Sequence, residues 1–296
     1  ISLFDEGKKW IENKTKVPIL GILPSLNEIF PPEDSLDLLD RSSTNKNQEL
    51  KVGIIKFPSI SNFSDMDPLE NEEGIQLNWI KNYQNLEKYD LIILPGSKQT
   101  IKDINFLKST GLIKSIRDYS KRNGNILGIC GGLQMLGKYL EDPYGKEGFY
   151  SSHKELIMGL GLLPLKTIFK KTKITKRIRC DATWPIETKV EGFELHNGIT
   201  EIINRESEKK LNNIFKQNKL GWYIDNNGKG FIAGIYVHGI FDNDLWRYNF
   251  LNLIRDKKGI KILDKKYIPY KIKREAIINN LANQFKKHIN ITSLLN

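Results

Sequence analysis

Short, nearly continuous apolar runs alternate through the middle of the chain with stretches whose apolar residues recur every three or four positions. KVGIIKF (51–57), DLIILPGS (90–97) and NILGIC (125–130) are of the first kind. They are too short for helices and rich in Ile, so each reads as a strand covered on both faces. Between about 101 and 122 the spacing is helical, with Gly124 as its stop. LQMLGKYL places Leu133, Leu136 and Leu140 on one helical face. Strand–helix alternation with apolar strands predicts an α/β domain on a mostly parallel sheet. From 158 to 240 the pattern turns β-rich, in GLGLLPLKTIF, TKRIRCDAT, GFELHNGITEI and FIAGIYVHGIF. The C-terminal stretch is helical, and Ile277, Leu281, Phe285 and Ile289 form an apolar stripe that reads as core packing rather than a partner-binding face.

The first forty residues fit poorly as the start of a domain. ISLFDEGKKWIENKT suits a helix and VPILGILPSL a single buried strand. One strand and one helix cannot cover each other's apolar surface, so the segment reads as the tail of a preceding domain. RSSTNKNQEL (41–50) is polar and linker-like. The expected organisation is therefore a remnant over 1–40, a linker over 41–50, the main domain over 51–250 and a helical extension over 251–296.

Composition narrows the class. Across 296 residues 39% are hydrophobic and 27% charged, a globular balance. No apolar run nears the ~18 residues of a membrane span, and no signal pattern opens the chain. Cys130 and Cys180 give no disulfide framework, which points to a reducing, cytoplasmic setting. The four histidines (His153, His196, His238 and His288) lack metal-site spacing, so no metal centre is expected. The net charge of +11 comes from lysines scattered over the whole chain, without basic clusters interleaved with aromatics, so neither a nucleic acid nor a membrane is expected as partner.

Cys130 is the most informative residue. In GICGGLQMLG it stands where a buried strand meets a helix, the position of a nucleophile elbow, with small neighbours at Gly128, Gly131 and Gly132. A helix start beside a thiol favours the thiolate and offers N–H groups to an oxyanion. An inert core cysteine is the bland alternative, and glycines on both sides argue against it. A thiol acyl-transfer enzyme needs a distant histidine as base. His238, in YVHGIF, ends another apolar strand and is preferred over His196, in FELHNG. Gly96, in the turn LPGSKQT, is a candidate second oxyanion donor.

GICGGLQMLG, LPGSKQT and YVHGIFDN together resemble the class I, triad-type glutamine amidotransferases of the cobyric acid and cobyrinic diamide synthase branch. PSISNFSDMDPL (58–69), DPYGKEG (142–148) and GFELHNG (192–198) bring the likeness closest to the cobyric acid synthases, and VPILGILPSL with PPEDSL resembles the junction between the two halves of those enzymes. The resemblance implies a flavodoxin-like three-layer sandwich with a mostly parallel central sheet. It implies hydrolysis of L-glutamine through a γ-glutamyl thioester on Cys130, with His238 as base. Gly131 and Gly96 would be the oxyanion donors and Gln134 would line the glutamine pocket. The ammonia would serve four amidations of a corrinoid, adenosylcobyrinic acid a,c-diamide, at its b, d, e and g carboxylates, giving cobyric acid. The partner would be an ATP-binding synthetase domain, in cis or in trans.

Two departures accompany the resemblance. Many relatives carry a glutamate two residues after the histidine, whereas Gly239 and Ile240 follow His238, so Glu194 is the candidate orienting group and His196 a candidate pocket residue. No G-x-x-x-x-G-K-[ST] phosphate loop occurs, so no cofactor is expected in this chain, and ATP and Mg²⁺ are expected in a missing synthetase half. The alternatives are a cobyrinic acid a,c-diamide synthase, a lipid II amidotransferase glutaminase, a cysteine hydrolase on a related sandwich, and a non-catalytic scaffold half of a corrinoid-modifying complex.

Overall fold

A computed structural model describes residues 4–24, 49–147, 156–217, 219–263, 268–290 and 292. The chain divides into two compact units, Pro32–Lys266 and Ile1–Pro31 with Tyr267–Asn296.

The larger unit is built on the predicted strands. β1 (Leu50–Ile55), β3 (Ile75–Ile80), β4 (Leu91–Leu94), β6 (Ile126–Ile129) and β13 (Phe231–Ile235) lie parallel in the order β3-β1-β4-β6-β13. β12 (Gly221–Asp225) and β11 (Asn212–Asn213) extend the edge antiparallel. Successive side chains of a strand point to opposite faces, and the core divides accordingly. Leu91 and Ile93 pack on one face with Trp246, Phe250 and Ile254 of α7 (Asp244–Lys258). Ile92 and Leu94 pack on the other with Ile101, Ile104 and Leu107 of α3 (Thr100–Ser109) and Leu112 and Ile116 of α4 (Leu112–Lys121). Burial on both sides explains the uninterrupted apolar runs and makes a three-layer α/β sandwich.

The helical stretch near 101–122 is two helices, because Gly111 takes a left-handed φ of 74° between α3 and α4. The helix after Cys130 is shorter than expected. α5 (Gly131–Leu136) ends at Gly137, and Leu140 lies in strand β7 (Tyr139–Glu141) instead of on a helical face. β7 belongs to a second sheet, ordered β10-β9-β7-β8, with β8 at Leu156–Met158. Its long antiparallel pair is β9 (Leu165–Ala182) and β10 (Thr188–Ile202). A two-strand pair of β2 (Ile60–Ser61) and β5 (Gly96–Ser97) sits in the loops that follow β1 and β4.

The smaller unit holds α1 (Asp5–Thr15) and α8 (Tyr270–His288). The segment expected as a buried strand, 17–26, forms no strand over its described part, 17–24: its residues are exposed or half-buried, and a single antiparallel bridge joins Gly21 to Ile289. A Cβ at Gly21 would lie 2.0 Å from the His288 carbonyl oxygen, so only glycine permits that approach. The expected extension 251–296 is not one piece: α7 continues to Lys258 within the larger unit, and α8 lies in the smaller. The stripe read as core packing is half-open, with Phe285 38% exposed and Ile277, Leu281 and Ile289 partly covered.

Candidate active site

β6 and β13 pair in parallel with Ile129 opposite Ile235, so the residues that follow each strand emerge at the same sheet edge. Cys130 follows β6 and His238 follows β13 by three residues, and the pairing brings the two near each other. Cys130 has φ 52° and ψ −106°, a left-handed conformation that side-chain-bearing residues avoid. It is held there by its N–H to the Ile235 carbonyl at 2.8 Å and by glycine on both sides. A Cβ at Gly132 would lie 1.9 Å from the Leu94 carbonyl oxygen and one at Gly131 2.8 Å from Ser97. The bend is a nucleophile elbow.

His238 is fully buried. Its Nδ1 lies 2.7 Å from Asp65 Oδ2, and the Gly239 N–H donates to Asp65 Oδ1 at 2.8 Å. The Asn62 amide lies 3.3 Å from Nε2. Burial works against the imidazolium, but the Asp65 carboxylate and the Cys130 sulfur outweigh it, and His238 is held well above its ordinary value. β10 grips the residue from its backbone side. His238 N–H donates to the Phe193 carbonyl at 2.9 Å, the Phe193 N–H returns a bond at 3.2 Å, and the Phe193 ring stacks on the imidazole at 5.1 Å. Gly192 makes that approach possible, since a Cβ there would lie 2.3 Å from the His238 carbonyl oxygen. Gly96 lies beside the ring, where a Cβ would come 3.3 Å from His238 Cε1.

The orienting carboxylate is therefore Asp65, in a 3₁₀ turn over Phe63–Met66, and not Glu194. Glu194 lies at a different place, where its Oε1 meets His196 Nε2 at 3.2 Å and its Oε2 pairs with Lys176 at 2.8 Å. Burial pushes its carboxyl up, but the hydrogen bonds from His196 and Lys176 prevail and hold it low. His196 stacks on Tyr236 at 3.8 Å, and its Nδ1 bonds the Gly198 carbonyl at 2.7 Å. Its ring is thus held by groups other than the Cys130–His238 pair. In the sequence Asp65 belongs to PSISNFSDMDPL, one of the segments that carry the resemblance, and nothing in its spacing marks it as the partner of a histidine.

A cavity of about 430 Å³ opens over Cys130. Gln134, His196, Phe169, Thr100, Ser61, Asn62 and Glu147 line it, and Lys98 and Lys173 add positive charge. Gln134 is fixed by Thr100 Oγ1, which donates to its Oε1 at 3.0 Å, and by its own donation to the Tyr236 hydroxyl at 3.2 Å. Glu147 is 6% exposed. Burial, with smaller contributions from Asp142 and Asp103, pushes its carboxyl up to about 7 against the opposing N–H groups of Ile101 and Thr100. Among the described residues no group of three or more His, Cys, Asp and Glu is arranged to hold a metal ion, and no described helix is long and apolar enough to cross a membrane.

A strained cysteine, an imidazole and a carboxylate gathered at the end of a parallel sheet have the arrangement of a triad-type thiol site on an α/β fold. Residues 51–246 match the family model of the CobB/CobQ-like glutamine amidotransferase domain. The chain belongs to that family. Cobyric acid synthase from Prochlorococcus marinus strain MIT 9301 is 60% identical over 295 residues, covering 100% of this chain and 58% of that protein. The protein of the same name from strain NATL1A is 47% identical over 294 residues, covering 99% and 59%. The chain thus spans somewhat more than half the length of these curated relatives. Among solved structures, PurLQS from Thermotoga maritima aligns with a TM-score of 0.47 at 16% identity, covering 64% of this chain and 88% of that one. A crystal structure titled as a glutamine amidotransferase aligns with a TM-score of 0.49 at 11% identity, covering 71% and 99%.

Proposed function

We propose that this chain hydrolyses L-glutamine and that the ammonia amidates a corrinoid. The observation that carries the reading is the run of contacts from buried Asp65 through His238 to Cys130, with Cys130 alone of the three opening onto a polar cavity. The Cys130 thiolate attacks the γ-carbonyl carbon, and the His238 imidazolium, formed with the thiol's proton, returns that proton to the departing amine as ammonia. A γ-glutamyl thioester remains. Water, deprotonated by His238, then releases glutamate. Asp65 fixes the imidazole tautomer and balances its charge through both steps. Gly131, directly after Cys130, and Gly96, beside His238, supply backbone N–H groups to the developing oxyanion. Gln134 walls the pocket beside them.

The corrinoid part of the proposal follows the printed names of the curated relatives. In a protein of their full length the ammonia would amidate adenosylcobyrinic acid a,c-diamide at the b, d, e and g carboxylates, giving cobyric acid. Activating a carboxylate needs ATP and Mg²⁺. The residues here offer no phosphate loop to hold them, so that step belongs to the remainder of such a protein and none of it is assigned to this chain. Ammonia made in an enclosed complex reaches the acceptor unprotonated, which is the nucleophilic form.

The test uses the full-length protein with corrinoid, ATP and Mg²⁺. Cys130→Ala is expected to abolish glutamine-dependent amidation and to leave ammonium-dependent amidation intact. Persistence of the glutamine-dependent reaction would overturn the reading.

A further inference from the structure

Positive charge gathers on β9. Six of the ten residues from 170 to 179 are Lys or Arg, and none is acidic. Across that stretch β10 offers two carboxylates, Glu191 to Arg179 at 2.9 Å and Glu194 to Lys176 at 2.8 Å. Six cations against two anions leave the strand pair with an excess of four positive charges. The ladder is interrupted where three of the lysines sit. Phe169 faces Gly198 and Ile174 faces His196, so the four residues 170–173 stand opposite Asn197 alone. A bulge re-aims side chains that regular pairing would alternate across the sheet. Lys171 and Lys173 are exposed there, and Lys173 lines the cavity over Cys130.

On the other side of His196 lies a second cavity, of about 560 Å³. Lys176, Arg177, Arg179 and Lys219 line it, together with Ile178 and Tyr236. His196 borders both cavities, so an anion held in the second lies one side chain away from the first. Like charges crowded on one strand repel each other, and an occupant with several anionic groups relieves that repulsion. An acceptor with four carboxylates has that chemistry. While one carboxylate is amidated, the others are still charged and need cationic partners.

We propose that the basic stretch of β9 and the cavity behind His196 hold the carboxylates of the acceptor that are not reacting. The assignment rests on the reading of this chain as the ammonia source for a polycarboxylate corrinoid. It places the acceptor beside the cavity in which ammonia is released. It also makes binding depend on charge, so each amidation removes one anion from the contact and the fully amidated product is held least.

The test uses the full-length protein with adenosylcobyrinic acid a,c-diamide, ATP and Mg²⁺, and with ammonium as the nitrogen source so that Cys130 is not needed. The variants are Lys171→Glu with Arg177→Glu, which reverses two exposed charges, and Lys171→Arg with Arg177→Lys, which keeps them. The reversed form is expected to raise the KM for the corrinoid about tenfold with kcat little changed, the mark of lost binding rather than lost chemistry. The KM for glutamine is expected to stay the same in both variants, and the charge-keeping form to match the parent protein. An unchanged corrinoid KM in the reversed form would overturn the proposal. So would an equal rise in the charge-keeping form, which would mean a structural effect, or an equal rise in the KM for ATP, which would mean a general field for anions. If the parent protein amidates no corrinoid from ammonium, the reading of the acceptor itself fails, an outcome separate from failure of this surface alone.

Discussion

His238 and Asp65 are joined twice: the carboxylate takes the imidazole Nδ1 at 2.7 Å with one oxygen and the backbone N–H of Gly239 at 2.8 Å with the other. The second bond fixes the direction of the first, because the carboxylate cannot rotate without releasing Gly239. The left-handed φ of 73° at Gly239 turns that N–H toward Asp65.

Asp65→Asn is therefore expected to cut the rate of glutamate release by about a hundredfold or more. The raised position of His238 depends on the Asp65 charge, so the imidazolium of the variant gives up its proton at a lower pH. The alkaline limb of the pH–rate profile moves toward acid. A profile that falls in amplitude without moving would assign Asp65 a purely steric part.

Cys130 stores backbone strain at φ 52°. Of the two inactive variants, Cys130→Gly relieves it and Cys130→Ala keeps it. The glycine form is expected to be more stable by about 1 kcal/mol, a few degrees in melting temperature. Equal melting temperatures would mean that the bend is unstrained.

Gly192→Ala places a methyl group against the His238 carbonyl. Both backbone bonds between Phe193 and His238 lengthen. Overpacking of this kind is expected to cost about 2 kcal/mol by denaturant titration and to reduce turnover as the imidazole shifts. Gly161→Ala is a control for added bulk, since nothing lies within 4 Å of a Cβ there; its left-handed φ of 68° adds a backbone cost of its own without touching His238.

Glu147 gives stability a pH dependence with a definite sign. Its folded value lies near 7, above the ordinary 4.5, so the folded chain holds a proton that the unfolded chain releases between those values. Stability falls as pH rises across that window and levels off above it. Glu147→Gln removes the effect, so its stability relative to the parent chain is expected to rise by at most roughly 3 kcal/mol between pH 4 and pH 8. Chemical denaturation at the two pH values measures it, and an equal difference at both would contradict the buried carboxylate.

Much of the framework was legible in the sequence because burial on both faces demands it. KVGIIKF, DLIILPGS and NILGIC could hardly serve except as covered strands, and Cys130 stood out by the glycines that its bend requires. Less legible was anything that depended on where an element stops. Leu140 fits a helical spacing with Leu133 and Leu136, yet Gly137 ends α5 and Leu140 pairs into β7. Asp65 is not legible along the chain as the partner of His238 because the two lie 173 positions apart, and the expected Glu194 bonds His196 instead. Short-range spacing reports helices and strands; the meeting of a 3₁₀ turn with a distant strand end is decided by tertiary packing. The glycine of GFELHNG carried a similar message, since Gly192 is required by the close approach of His238, a neighbour invisible along the chain.

The grip on His238 has a consequence during synthesis. Cys130 leaves the ribosome more than a hundred residues ahead of the imidazole that is to activate it. Until β13 has docked beside β6, the sulfur is an ordinary thiol without the base that makes it aggressive. In the proposed reading, nucleophilic reactivity thus switches on only with completion of the sheet, and a half-made or misfolded chain is spared adducts at Cys130.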